Sequence, residues 1–262
     1  EIPVSLEGNS DSFRMKLSFL PNGNCVILPN INGRGYGFFK ITEGESSGLW
    51  SVLRSSEDEV LKGSLLITLY ENLRWKTISP QGFREEMLAY LPNESNSLLF
   101  SMALSYLGDC QRIFPSDSRP LEQVLWKIVT TNPVSQHRLQ AFRLYRSIAD
   151  SEEAVQRLYT LWQERKAPKD CTLSESDYIG LSYILAMHLP EKADKIIATQ
   201  LSRIQNPDRK KEYQFISPSV SPRKAERDSV FASLLIAGNR RVEPWASSAL
   251  ANLNHRLREQ ES

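Results

Sequence analysis

The residue pattern closest to a catalytic motif is Gly44-Glu45-Ser46-Ser47-Gly48. It matches Gly-x-Ser-x-Gly, the nucleophile elbow that presents a reactive serine between a strand and a helix in many hydrolases. Such an enzyme also needs an acid and a histidine at the ends of later strands, and no alternation of strands and helices follows Gly48. We therefore expect a turn at which strands give way to helices. A serine hydrolase built on Ser46 is kept as an alternative.

Histidines are few and scattered, at positions 137, 188 and 255. A zincin needs His-Glu-x-x-His, because the spacing of four puts both imidazoles on one helical face with the Glu beside the bound water. That motif is absent from this chain. The sequence therefore predicts no metal ligand, no cofactor and no catalytic residue here.

Two further patterns lack the context that their chemistry needs. The three cysteines have no close spacing, so we expect isolated thiols and not a disulfide framework or a Cys-x-x-Cys site (Cys25, Cys110 and Cys171). Gly33-x-Gly35-x-Gly37 is followed by a predicted strand, and no helix N-terminus is there to meet a phosphate. We interpret this glycine run as a tight hairpin or bulge.

Composition excludes several classes of protein. The 262 residues carry 32 Lys+Arg against 31 Asp+Glu, and the net charge of +1 gives no reason to expect nucleic acid as a partner. No apolar run approaches the roughly 20 residues of a membrane span. The chain opens at Glu1 without Met or a secretion signal, which we interpret as a cut within a longer protein. Cytoplasmic and exported locations both stay open.

Short basic runs occur at Arg209-Lys210-Lys211 and at Arg240-Arg241. Cations are favourable near helix C-termini, so solvated helix ends are one interpretation. The other is a patch that faces an anionic ligand, such as a peptide carboxylate.

The first forty residues have the pattern of strands. Ile2–Leu6 and Phe13–Leu20 alternate apolar and polar positions, and Cys25–Leu28 and Tyr36–Ile41 are two more short runs. Four strands make a very small free-standing domain. We expect residues 1–45 to be the C-terminal part of a larger β-sandwich domain.

Helical patterns take over from about Leu49, so residues 46–262 are predicted as an α-helical C-terminal domain. An apolar residue recurs every fourth position from Leu61 to Leu73. Three pairs, Ser79-Pro80, Asn132-Pro133 and Ser221-Pro222, place a capping side chain before a proline. The predicted helices lie near 58–75, 80–91, 94–113, 119–131, 133–149, 151–166, 174–189, 191–205, 222–237 and 242–259.

Linkers of mostly two to eight residues make successive helices antiparallel neighbours. About ten such helices suggest a HEAT-like superhelix. No repeat of fixed period is visible, so the array is expected to be irregular. The predicted fold is mainly α: an irregular α-α solenoid with a concave face, preceded by a small antiparallel β segment.

Three stretches together resemble the aminopeptidase N-like zinc metallopeptidases. Leu28–Asn30 with Gly33–Phe39 is similar to the hairpin that closes the β domain of that family. Asn206–Arg209, then Phe215–Ser221 and Arg227-Asp228, resemble the late part of its helical domain.

The end of the chain extends the resemblance. Glu243-Pro244-Trp245 and Asn254–Arg258 are similar to the closing helix of the family, which often ends His-His-Pro-Leu-Arg. Asn254 stands here for the first His and Arg256 for the Pro, so this match is partial. The similarity covers essentially the whole chain in the right order.

The resemblance implies a non-catalytic domain that caps the active site of a zinc-dependent aminopeptidase and shapes peptide access. The zinc ligands and catalytic residues would lie upstream, and the partners would be the upstream catalytic domain and the peptide substrate. The resemblance makes Arg209 and Arg227 candidates for contacting the far end of the substrate. The alternative function is a free-standing helical scaffold that binds a protein or peptide.

Overall fold

The computed structural model describes residues 26–31, 33 and 35–258. Across these residues the chain is mainly helical, with twelve α-helices, five short 3-10 turns and no β-strand. The prediction of a mainly α protein is thereby confirmed. The predicted strands Ile2–Leu6 and Phe13–Leu20 lie outside the described residues.

Two compact units make up the chain, one ending at Ile78 and the other beginning at Ser79. The first contains α1, Glu43–Ser55, and α2, Glu59–Arg74. The expected boundary at 45/46 thus falls inside α1. The proposed β-sandwich remnant stays a prediction, because most of residues 1–45 lie outside the described residues.

Local hydrogen bonds start both helices of the first unit. Thr42 and Glu45 form a capping box at the N-terminus of α1, and Asp58 accepts hydrogen bonds from two amides in the first turn of α2. The predicted apolar stripe of α2 is buried at Leu65, Leu69 and Leu73. The intrinsic helix propensity of α1 is low because its sequence is rich in Gly and Ser. The capping box and the burial of one face therefore stabilise this helix.

The two predicted strands that reach into the described residues are not strands there. Residues 26–28 and 36–41 form no ladder. The buried side chain of Asn72 supplies hydrogen bonds that a neighbouring strand would otherwise give: its Oδ1 accepts from the Ile41 N–H at 2.9 Å, and its Nδ2 donates to the Phe39 carbonyl at 2.8 Å. A side chain from α2 therefore satisfies backbone groups that the pattern assigned to a sheet.

Two hydrogen bonds join Gly35, in the middle of the glycine run, to the side chain of Asn30. The Gly35 N–H donates to Asn30 Oδ1 at 2.6 Å, and Asn30 Nδ2 donates back to the Gly35 carbonyl at 3.1 Å. Gly33 has a φ of +66° and Gly37 one of +156°, conformations that side chains rarely allow. The run is a side-chain-closed loop, and no helix N-terminus follows it at the distance a phosphate loop requires.

The second unit holds ten of the twelve described helices. These are α3 Pro80–Tyr90, α4 Ser97–Ile113, α5 Arg119–Thr131, α6 Ser135–Ile148, α7 Glu152–Glu164, α8 Glu175–His188, α9 Ala193–Arg203, α10 Pro207–Ile216, α11 Lys224–Leu234 and α12 Glu243–Leu253. Nine of them match predicted helices, eight within three residues at each end and α12 with its end six residues before the predicted one. Helix α10 is new, as is α1 in the first unit.

Capping at prolines is confirmed at one of the three predicted pairs. Ser79 caps α3 by accepting from the Gly82 N–H. The other two pairs end two residues before their helices, which begin at Ser135 and Lys224. Asn132 and Ser221 instead accept from the second amide after themselves, a turn that competes with helix initiation.

Several sequential helices pack as neighbours in the second unit, as α5 does with α6, and α7 and α9 do with α8, whereas α4 packs against α6, the second helix after it. The largest completely buried side chains of this unit are aromatic (Tyr145, Tyr213, Phe83, Phe100 and Phe142). Burying each contributes roughly 2–3 kcal/mol relative to exposure. Near the end of the unit, the 3-10 turns Ser217–Val220 and Arg256–Arg258 pack beside α11 and α12 and form the site described next.

Candidate functional site

Arg227, one of the two candidate substrate residues, lies on α11 and is only 6% exposed. Its Nη1 donates to the carbonyls of Ser221, at 2.9 Å, and Pro222, at 3.0 Å. The guanidinium therefore holds the turn that leads into α11, and part of it borders a cleft.

A second buried arginine holds the same turn from the other side. Arg258 Nη1 donates to the Ser219 carbonyl at 2.9 Å, and its Nη2 donates to the carbonyls of Val220 and Ser221 at 2.9 and 3.2 Å. Backbone carbonyls carry partial negative charge, so such contacts are favourable for a cation. Residues 219–222 are thus clasped between two guanidiniums.

A cleft of about 410 Å³ opens beside this clasp. Its volume falls in the range of small ligand sites. The lining includes both polar and apolar side chains from α11, α12 and the turn after α12 (Lys224, Arg227, Asp228, Phe231, Leu253, Asn254 and Arg258).

Positive charge dominates this lining, with three cationic side chains and one carboxylate. Lys224 and Asp228 form an exposed ion pair at 3.6 Å, which is weak in water. Phe231, 54% exposed, offers an aromatic surface next to these charges. The arrangement suits a ligand that carries an anionic group beside an apolar one.

Arg209, the other candidate, does not line this cleft. It lies in the first turn of α10, and its Nη1 contacts Glu175 Oε1 at 3.2 Å. A hydrogen bond from the Gln205 N–H, with support from Arg209, lowers the pKa of the Glu175 carboxyl. Arg209 therefore joins α10 to the start of α8, and the two candidates do not meet in one site.

Ser46 does not occupy a nucleophile elbow. It lies in the first turn of α1, and its hydroxyl donates to the Glu43 carbonyl at 2.7 Å. An elbow requires a strand before the serine, and the described residues before α1 contain none. The expectation of a turn between strands and a helix at Leu49 is corrected too, because α1 already begins at Glu43.

Ser97 Oγ lies 2.9 Å from His137 Nε2, a contact for which no pattern in the sequence is a signal. A serine nucleophile would need an acceptor to orient the other imidazole nitrogen. His137 Nδ1 is buried without a hydrogen-bond partner among the described residues, and the ring is completely buried against Phe100. A tautomer that donates from Nε2 to Ser97 leaves no N–H unsatisfied, and this pair is structural.

Within the described part of the chain, no group of three or more His, Cys, Asp or Glu side chains is placed to hold a metal ion. No described helix combines the length and the apolar character that crossing a membrane requires.

Comparison with models of known protein families gives no match. A search among curated proteins also finds no similar sequence.

Proposed function

We propose that this chain is a non-catalytic domain of a zinc-dependent aminopeptidase, in which it caps the active site and shapes peptide access. The zinc and the catalytic residues belong to the upstream catalytic domain in this proposal, and that domain is the chain's first partner. The peptide substrate is the second. An irregular HEAT-like superhelix with a concave face is the architecture that the proposal assumes.

The observation that carries the proposal is the cationic and apolar cleft beside α11. A peptide ends in a carboxylate next to a side chain, and the lining offers Lys224 and two guanidiniums beside Phe231 and Leu253. Contacts of this kind would hold the far end of a peptide whose amino end reaches the catalytic domain. Arg227 is kept as a substrate-channel residue, and Arg209 loses support because it lines another part of the unit.

An alternative is a helical scaffold that binds a protein partner. Exposed apolar side chains favour it at the end of α11, where Phe231, Leu235 and Ile236 are 54, 67 and 62% exposed. Such a patch is typical of an interaction surface. It predicts a bound protein and no dependence on a peptide carboxylate.

The reading frame that precedes Glu1 tests the family directly. We expect His-Glu-x-x-His and, about eighteen residues later, a third zinc ligand, with the whole motif some hundreds of residues upstream. An upstream domain without these ligands, or a start codon immediately before Glu1, would favour the scaffold instead.

Peptide binding tests the cleft. A fluorescein-labelled nonapeptide that ends in leucine is titrated against the purified chain with a free carboxylate and, separately, with a C-terminal amide. We expect the free acid to bind at least 5-fold more tightly, since 5-fold corresponds to about 1 kcal/mol, the upper end of what one exposed ion pair contributes. Lys224→Glu removes this preference, while Lys195→Glu on α9 retains it. Equal binding of acid and amide would refute the cleft as a carboxylate site.

A further inference from the structure

The last described residues form one wall of the cleft and are attached to the unit at two separate places. Leu253, Asn254 and Arg258 line the cleft. We call residues 252–258 the closing segment. Whatever detaches this segment also removes a wall of the cleft.

The first attachment is to the turn at 219–221. Arg258 donates to its three carbonyls, and Asn252 Nδ2 donates to Ser219 Oγ at 3.0 Å. Arginine keeps its charge at every pH that proteins tolerate, so this attachment does not titrate.

The second attachment reaches the junction of α6 and α7. Arg256 Nη2 contacts Asp150 Oδ1 at 3.1 Å and the Ile148 carbonyl at 3.4 Å, which joins residues 108 positions apart. Both charged side chains are partly exposed, with 35 and 42% of their areas accessible. Such an ion pair is weak alone and depends on the charges around it.

Two of the chain's three histidines lie at this second attachment. His188 ends α8, where burial lowers its pKa and the nearby Ala149 carbonyl partly opposes that lowering. His255 belongs to the closing segment. Its Nδ1 accepts a long hydrogen bond from the Leu257 backbone N–H, with 3.4 Å between the two nitrogens. After burial and Arg256, His188 is among the groups that lower the pKa of His255.

The charged groups that face these imidazoles come from several elements. Glu122 of α5 and Asp150 of the α6–α7 junction face His188, together with Arg256. Arg256, Arg258 and Asp150 face His255. Two guanidiniums therefore oppose two carboxylates while the imidazoles are neutral. Protonation of both rings adds two positive charges and leaves the cluster with twice as many cations as anions.

We propose that His188 and His255 form an acid-sensitive latch: the closing segment stays attached to the α6–α7 junction at neutral pH, and charging of the imidazoles breaks that attachment, so that only the contacts of Arg258 and Asn252 still hold this wall of the cleft. The inference deepens the proposed function, on which it rests for the meaning of the cleft. Ligand binding by this domain would then weaken in acidic surroundings.

The direction follows from burial. Desolvation, with help from Arg256 and Arg258, lowers the pKa of His255 to about 4, against an ordinary value of 6.5. Burial also lowers the pKa of His188, although Asp150 opposes it. A released, solvated imidazole takes up its proton near pH 6.5, so acid favours release. For His255 alone the equilibrium shifts toward release by about 30-fold at pH 5.

Hydrogen exchange of the full chain tests the latch without any ligand. We expect protection of residues 254–258, corrected for intrinsic exchange rates, to fall at least 10-fold between pH 7.5 and pH 5.0, while α4 keeps its protection. The double variant His188→Gln/His255→Asn should lose less than 2-fold, because the amides are polar and do not titrate, and the new amide oxygen at position 255 can still accept from the Leu257 N–H. Asp150→Asn should loosen the segment already at pH 7.5.

Parallel loss of protection in α4 would mean general acid unfolding and would overturn the latch. So would equal pH sensitivity of the double variant and the wild type. Peptide binding, measured on the same samples, separates the two proposals. If protection of the segment falls in acid but no peptide binds at pH 7.5, the cleft is refuted and the latch is retained. If carboxylate-dependent binding is as tight at pH 5.0 as at pH 7.5, the latch is refuted and the cleft is retained.

Discussion

The side-chain oxygen of Asn72 accepts the backbone N–H of Ile41 at 2.9 Å, 31 positions earlier in the chain. The side-chain Nδ2 of Asn72 donates to the Phe39 carbonyl, and the Thr77 hydroxyl donates to Asn72 Oδ1. Asn72 is completely buried. One side chain of α2 thus fixes the segment that enters α1.

Replacing Asn72 with Leu should destabilise the first unit by about 3 kcal/mol. The apolar side chain leaves the Ile41 N–H and the Phe39 carbonyl without this partner, and each buried unsatisfied group costs about 1–3 kcal/mol. Urea unfolding followed by circular dichroism measures the change. Asn93→Leu serves as a control, because Asn93 is exposed and bonds only within its own turn through Nδ2. Equal midpoints for the two variants would show that Asn72 is dispensable.

Asp177 is a buried carboxylate whose partner Arg143 is half-exposed, so Asp177→Asn should cost about 1.5–3 kcal/mol, the range of a hydrogen bond to a charged group. Its carboxylate accepts from Arg143 Nε at 2.9 Å and closes the capping box of α8 with Ser174, while Arg146 Nη1 lies 3.8 Å away. Thermal or urea unfolding at pH 7 measures the loss. Asp117→Asn is a matched control, because Asp117 pairs with Arg119 on the surface and its loss should leave stability unchanged.

The same carboxylate gives a pH dependence. Burial would raise the pKa of Asp177, but hydrogen bonds from Arg143 and Ser174 outweigh burial and lower it. Its contribution is therefore complete above the ordinary value of 3.8 and is lost as the pH falls through the lowered pKa. If Asp177→Asn lowered the free energy of unfolding by the same amount at pH 2 as at pH 7, this assignment would be contradicted.

A fluorophosphonate probe should not label Ser46. Its hydroxyl donates to the Glu43 carbonyl inside the first turn of α1 and has only 6% of its residue area exposed. Mass spectrometry of the treated chain, with a known serine hydrolase as a positive control, makes the measurement. Labelling at Ser46 that Ser46→Ala abolishes would revive the hydrolase alternative.

Most helices could be predicted because their signals are local. Capping residues, prolines and apolar stripes lie within a few positions of the helices they define, as at Ser79 and along α2. Helix α1 was missed because the Gly44–Gly48 stretch has low helix propensity. Helix α10 was missed although Asn206-Pro207 carries a capping signal, since its polar sequence lacks a strong apolar stripe.

The site could be predicted only in part, because its geometry depends on distant contacts. The prediction named Arg227 but not Arg258, whose partners lie 37 to 39 positions earlier. The pairing of Arg256 with Asp150 spans a still longer distance in sequence. No pattern of spacing encodes such contacts, and Arg209 looked equivalent to Arg227 until the packing of α10 against α8 separated them.

His137 should make the whole chain less stable in mild acid. Burial lowers its pKa below 6.5, while Glu94 opposes the shift, so the folded ring stays neutral where the unfolded one is protonated. The unfolded state then binds more protons below pH 6.5, and stability falls by up to about 1.4 kcal/mol per pH unit for this one group. His137→Phe can keep the stacking on Phe100 and cannot titrate, so its unfolding free energy should fall less steeply between pH 6.5 and 5. His188 and His255 still contribute to the pH dependence of the unfolding free energy in that variant. The double variant His188→Gln/His255→Asn removes their contribution and leaves that of His137. A slope identical to that of the wild type would mean that His137 is already charged in the folded protein.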